Sequence, residues 1–133
     1  MQLAMKAQVT VEYLLLAMVA LALLSFSVMS LHYVKDSSER IFQAAAFKSS
    51  AMDLAGAIRE VCALGNGNAR VVYLKEELDV SGGSSGSHHY AEFKGPANLS
   101  TVQETFCAVK DVSGLNGKTE IRNENGEIEI ERS

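Results

Sequence analysis

The sequence predicts an α+β protein: a long N-terminal apolar α-helix with a small antiparallel β-sheet domain packed on its C-terminal half. Three observations predict it. Residues 9–34 (VTVEYLLLAMVALALLSFSVMSLHYV) hold a single formal charge, Glu12, and neither Pro nor Gly. Phe47, Ala51, Leu54, Ile58 and Val61 then recur at steps of four and three, which is one face of a helix. After Gly65 the pattern changes to short β-branched and aromatic runs punctuated by Gly, Asn and Pro.

Taken as a helix, the uncharged stretch 13–34 measures about 33 Å, enough for a bilayer core of roughly 30 Å. An ordinary secretory signal peptide is shorter and is followed by a small-residue cleavage site. Here the apolar run passes directly into residues 35–40 (KDSSER), which contain no helix breaker. Gly65 supplies the stop, with the turn-forming Asn66-Gly67-Asn68 behind it. One helix is therefore expected over residues 8–64, about 85 Å long, with 35–39 as the place for any kink. Met5, Met18, Met29 and Met52 are expected to pack, and Phe42 and Phe47 to anchor the sheet or a neighbouring helix.

Residues 69–74 (ARVVYL) read as a strand and 81–87 (SGGSSGS) as a flexible loop. Strands are expected over 88–93 and 105–109, separated by a turn at Gly95-Pro96. The clearest hairpin joins 118–122 to 127–131 through Asn123-Glu124-Asn125-Gly126. In its second strand Ile128 and Ile130 face one side while Glu127, Glu129 and Glu131 face the other, as in a half-exposed sheet.

Charge and motif content narrow the function. With 12 Lys+Arg against 16 Asp+Glu, net charge −4, the chain has no concentrated basic stripe, so no nucleic acid is expected as a partner. His88 and His89 are adjacent in a strand and point to opposite faces, and His32 is far away in the sequence, so no metal is expected. The Gly/Ser run lacks the Gly-Lys-Ser/Thr ending of a phosphate-binding loop. No Ser/His/Asp or paired-carboxylate arrangement is evident, so neither a catalytic residue nor a cofactor is assigned. Cys62 and Cys107 read as one structural bridge if the domain lies outside the membrane, or as two buried thiols otherwise. Asn98-Leu99-Ser100 fits a glycosylation sequon, a pattern that also arises by chance.

The informative motif precedes the apolar helix: Lys6-Ala7-Gln8-Val9-Thr10-Val11-Glu12-Tyr13-Leu14. It resembles the class III signal peptide of archaeal type IV pilin-like proteins. In that family a membrane prepilin peptidase cuts just before a Gln, and the mature chain begins Gln-x-Ser/Thr-x-Glu. The match covers Gln8, Thr10 (in place of the commoner Ser) and Glu12, with Lys6-Ala7 on the leader side. The resemblance spans the first quarter of the chain closely and the remainder only in layout.

It implies a type IV pilin-like fold in four parts. These are a leader, 1–7, removed between Ala7 and Gln8; a membrane or filament-core helix, 8–34; its amphipathic continuation, 35–64; and an extracellular β-domain, 65–133. The implied partners are other copies of the chain in a helical homopolymer, the prepilin peptidase, the pilus assembly machinery and, before assembly, the cytoplasmic membrane. Adhesion from a cell-surface filament is the usual outcome in the family, and Asn98 outside the membrane would be consistent with a glycosylated filament surface. Gln8, Thr10 and Glu12 would serve assembly.

Glu12 has a physical rationale. A carboxylate in a membrane helix costs up to about 3 kcal/mol and tends to be functional. Cleavage before Gln8 would create an α-amine of pKa about 7.7–8.0, one helical turn from Glu12. By resemblance, the two would neutralise each other within or between subunits and set axial register. A Glu near a helix N-terminus is also favourable on its own account. Counting positive residues, Lys6 before the helix against Lys35 and Arg40 after it, does not favour a cytoplasmic N-terminus, whereas the leader motif implies one. The alternative is a single-pass membrane-anchored protein whose outer domain binds a partner.

Overall fold

The computed structural model describes the backbone from Gln2 to Ser133 and the side chains from Val9 onward. Helix α1 runs Gln2–Leu64. It starts before residue 8 because Gln2-Leu3-Ala4-Met5-Lys6-Ala7 are all strong helix formers. The helix passes through residues 35–39 without a break. Six strands follow: β1 Ala69–Ser85, β2 His88–Lys94, β3 Ser100–Thr105, β4 Ala108–Val109, β5 Val112–Glu124 and β6 Glu127–Arg132. They form one sheet in the order β3-β2-β1-β5-β6-β4. The protein is α+β, with one long N-terminal helix and a mostly antiparallel sheet packed against it. Tertiary contacts divide the chain into two units, Met1–Arg40 and Ile41–Ser133.

The second unit has a single core. Phe47, Ala51, Leu54, Ile58 and Val61 of α1 are all buried, as their spacing predicts. They meet Leu74, Leu78 and Val80 of β1, Ala91 and Phe93 of β2, Leu115 and Ile121 of β5, and Ile128 and Ile130 of β6. Gly95 makes room for Phe47, since a Cβ there would enter its ring. Phe42 does not join the core and is 74% exposed.

Polar side chains close the gaps that the backbone leaves. The β1–β5 register shifts between Leu74 and Leu78, and within that irregularity the Lys75 N–H donates to Oγ of buried Ser50 at 3.0 Å. At the end of α1, Asn68 Nδ2 donates to the Leu64 carbonyl at 2.9 Å and caps the helix. Buried Asn123 donates to the Val61 carbonyl (3.4 Å) and accepts from the Gly126 N–H (2.9 Å). Asn66 Oδ1 accepts from the Asn125 N–H at 2.8 Å, and the Gly67 N–H donates to the Asn123 carbonyl at 2.9 Å. The helix terminus is thereby tied to the β5–β6 hairpin.

Three expectations need correction. Most of the 81–87 run is not a loop. Residues 81–85 are paired in register with β2, and only Gly86-Ser87 turn. The glycines serve close approach: a Cβ at Gly82 would overlap the Val109 carbonyl, and one at Gly83 would overlap the ring of Tyr90, its cross-strand partner. The strand expected over 105–109 is the end of β3, a bend at Phe106-Cys107, and the short β4. The sheet is also not wholly antiparallel, because β4 pairs with β6 in parallel. After the bend, Val109 lies at Ile128 of β6, and its carbonyl approaches Gly82 of β1.

Candidate membrane-inserting and assembly segment

Successive residues of an α-helix lie 100° apart, so three consecutive apolar residues already cover most of its circumference. Leu14, Leu15 and Leu16 are 59%, 61% and 62% exposed, and Val19, Leu23, Phe26, Met29 and Leu31 are exposed as well. Within Val9–Leu64 lies a window long and apolar enough to cross a membrane, and none of it is buried. A helix that is apolar on all sides needs lipid or other helices around it.

Three of its serines are satisfied within the helix. The hydroxyls of Ser25, Ser27 and Ser30 donate to the carbonyls of Leu21 (2.9 Å), Leu23 (2.8 Å) and Phe26 (2.9 Å). Each bond spans one turn and removes a hydroxyl from competition with water, which suits a segment surrounded by hydrocarbon. Glu12 is the acidic residue of this stretch and is exposed, as is Thr10 two residues before it. The Gln8 backbone lies about one turn of α1 before Glu12. The side chains of Ala7 and Gln8 lie outside the described residues.

In the second unit Cys62 of α1 is bonded to Cys107, with the two Cα atoms 6.0 Å apart across a sequence separation of 45. Closing a loop of that length removes about 4 kcal/mol of unfolded-chain entropy on a chain-entropy account. The link fastens the α1 terminus to the β3–β4 bend, beside the 80% exposed Phe106. Asn98 is exposed in the short 3-10 turn Pro96–Asn98, with φ of 58°. His88 and His89 pair with Ser85 and Thr105 respectively. Among the described residues, no three His, Cys, Asp or Glu side chains gather to hold a metal ion.

The outward face of β5 and β6 carries paired charges. Arg122 bonds Glu120 at 2.7 Å and approaches Glu124 at 3.7 Å, while Lys110 bonds Glu129 at 3.0 Å. Each cation titrates above its ordinary value, chiefly through the hydrogen bond to its glutamate. These side chains are exposed to solvent, and such pairs contribute little to stability.

A groove of about 460 Å³ runs between α1 and the edge strand β3, lined on the helix by Lys48, Met52, Ala55 and Arg59 and on the strand by Thr101 and Gln103. Ala51 and Ala55, small residues of α1, line it on the helix side, and Thr101 and Gln103 of β3 stay half-buried.

No family model matches the chain, and no curated protein or solved structure matches it. The fold and the segments above therefore carry the functional argument. The chain has a long apolar N-terminal helix followed by a small disulfide-linked sheet domain.

Proposed function

We propose that the chain is a structural subunit of an archaeal type IV pilus-like surface filament, made as a precursor and polymerised through α1. The observation that carries this reading is an apolar helical surface, exposed on every side over residues 13–34, directly preceded by Gln8, Thr10 and Glu12. A segment of this kind suits lipid first and a bundle of identical helices afterwards. In moving from one to the other it exchanges apolar contacts without meeting water. Removal of residues 1–7 by a prepilin peptidase would leave an α-amine one turn from Glu12, and the two charges would neutralise each other at the filament core. The Cys62–Cys107 link supports a domain outside the cytoplasm, where disulfides persist. Adhesion and glycosylation at Asn98 belong to the same reading.

N-terminal sequencing of the chain from a sheared cell-surface fraction tests it. A start at Gln8 in high-molecular-weight material is expected, with Glu12→Ala abolishing that material while the precursor stays in membranes. An intact Met1 found only in membranes would replace this reading with a membrane-anchored binding module.

A further inference from the structure

Strand β3 is an edge of the sheet and, among the described residues, pairs only with β2. Alternate residues of such a strand direct their N–H and C=O groups away from the sheet. Edges are commonly blunted by Lys, Pro or a bulge, and residues 100–105 (STVQET) carry none of these. Helix α1 runs beside this edge for its whole length. Ser100 lies opposite Lys94, next to the Gly95 that packs on Phe47, and past the other end Cys107 is bonded to Cys62. From 47 to 62 the helix rises about 22 Å, and from 100 to 107 an extended chain covers about 23 Å.

The groove between them has an apolar middle and a cation at each end. Met52, 58% exposed, stands over Ala51 and Ala55, with Lys48 and Arg59 to either side, about 16.5 Å apart along the helix axis. Among the described residues neither cation makes an ion pair. Arg59 Nε donates to the Ala55 carbonyl at 3.4 Å, which keeps the guanidinium beside the groove. Among the described residues no acidic side chain lines it, in a chain whose net charge is −4. On the strand side Thr101 and Gln103 turn toward the helix, while Val102 and Glu104 are exposed on the other face.

We propose that the groove takes an extended acidic peptide segment of a partner protein, added as a strand to the free edge of β3. Such a segment gains main-chain hydrogen bonds from the edge, and every second side chain enters the groove at steps of about 6.6 Å. Carboxylates two such steps apart stand about 13 Å from each other, and the long side chains of Lys48 and Arg59 cover the remaining difference. The inward residue between them is apolar, because it meets Met52 and Ala55. The pattern recognised is therefore acidic–x–apolar–x–acidic, which reads the same in either strand direction. Within the chain β6 comes nearest to it, but β6 has glutamate at every second position and is already paired with β5 and β4. The site lies wholly in the second unit and does not depend on the apolar half of α1.

The test titrates the full-length chain, in nonionic detergent at low salt, into a fluorescein-labelled peptide Thr-Glu-Thr-Leu-Thr-Glu-Thr and follows anisotropy. Binding with Kd on the order of 0.1 mM is expected. Lys48→Ala and Arg59→Ala, both at exposed positions, should each weaken it about threefold, and Lys48→Glu combined with Arg59→Glu by more than about tenfold. A peptide with lysine in place of both glutamates should bind at least about tenfold more weakly. N-methylation of two adjacent central residues, which removes strand pairing and leaves the charges, should do the same. Equal binding of the lysine peptide or of the N-methylated peptide would overturn the proposal, as would no binding up to about 1 mM.

Discussion

The two stretches of α1 on either side of Arg40 are built from similar apolar residues yet face opposite fates. Leu54 and Ile58 are fully buried under the sheet, whereas Leu14, Leu15 and Leu23 stand roughly three-fifths exposed. Composition begins to separate them, because residues 13–34 carry no formal charge whereas 41–64 carry Lys48, Asp53, Arg59 and Glu60. Arrangement completes the difference. In residues 47–61 the apolar side chains keep to one stripe, so a single sheet satisfies them. In 13–34 they encircle the helix, so no partner of the size of this sheet can cover them. The first half of the helix therefore depends on an environment outside the chain, and the second half carries its own.

Perturbing the folded half should unfold the domain, and equivalent changes in the apolar half should not. The largest loss is expected from Cys62→Ser with Cys107→Ser, about 4 kcal/mol in a denaturant titration in detergent. Leu54→Ala, which empties a fully buried site, should cost about 2–5 kcal/mol in the same titration. Leu23→Ala, on the exposed apolar surface, should leave the midpoint where it was. If Leu23→Ala proved as damaging as Leu54→Ala, the contrast drawn here would fail.

Smaller effects sharpen the boundary. Ser50→Ala leaves the Lys75 N–H without its acceptor, and about 1–3 kcal/mol of stability should go with it. Hydrogen exchange at Lys75 would report the loss locally. Smallest is Lys110→Ala, whose exposed partner Glu129 stays solvated, and a shift in Tm within error is expected. Folding raises the pKa of Lys110, so whatever this pair contributes is present at neutral pH and is lost only as pH rises past the upper end of the lysine range. A pH titration of Tm between 6 and 9, values on the order of neutrality, should therefore show no step from this group.

Much of the fold was legible because period and position report on it directly. The steps from Phe47 to Val61 named the buried face of α1, and the alternation of Ile128 and Ile130 with three glutamates named the inner face of β6. Asn125-Gly126 marked its hairpin through φ values of 56° and 88° that few other residue pairs accept. The 81–87 run misled because glycine has two uses. Flexibility and close approach look alike in sequence, and only the positions of Tyr90 and Val109 distinguish them. Strand β3 was missed because Ser100 to Thr105 is polar and lies at an edge, where one partner strand suffices. In the candidate site, Thr10 and Glu12 stood out through motif resemblance.

Sequence alone determined the helix, its apolar surface, the punctuation at Gly65 and the last hairpin. Each of these is a local property, set by side-chain period, propensity and turn chemistry within a few residues. Tertiary structure decided the joining of Cys62 to Cys107, the parallel pairing of β4 with β6, the placing of Ser50 and Asn123 against displaced backbone groups, and the groove beside β3. Those features bring together residues distant in the chain, and their positions follow from how the sheet bends over the helix.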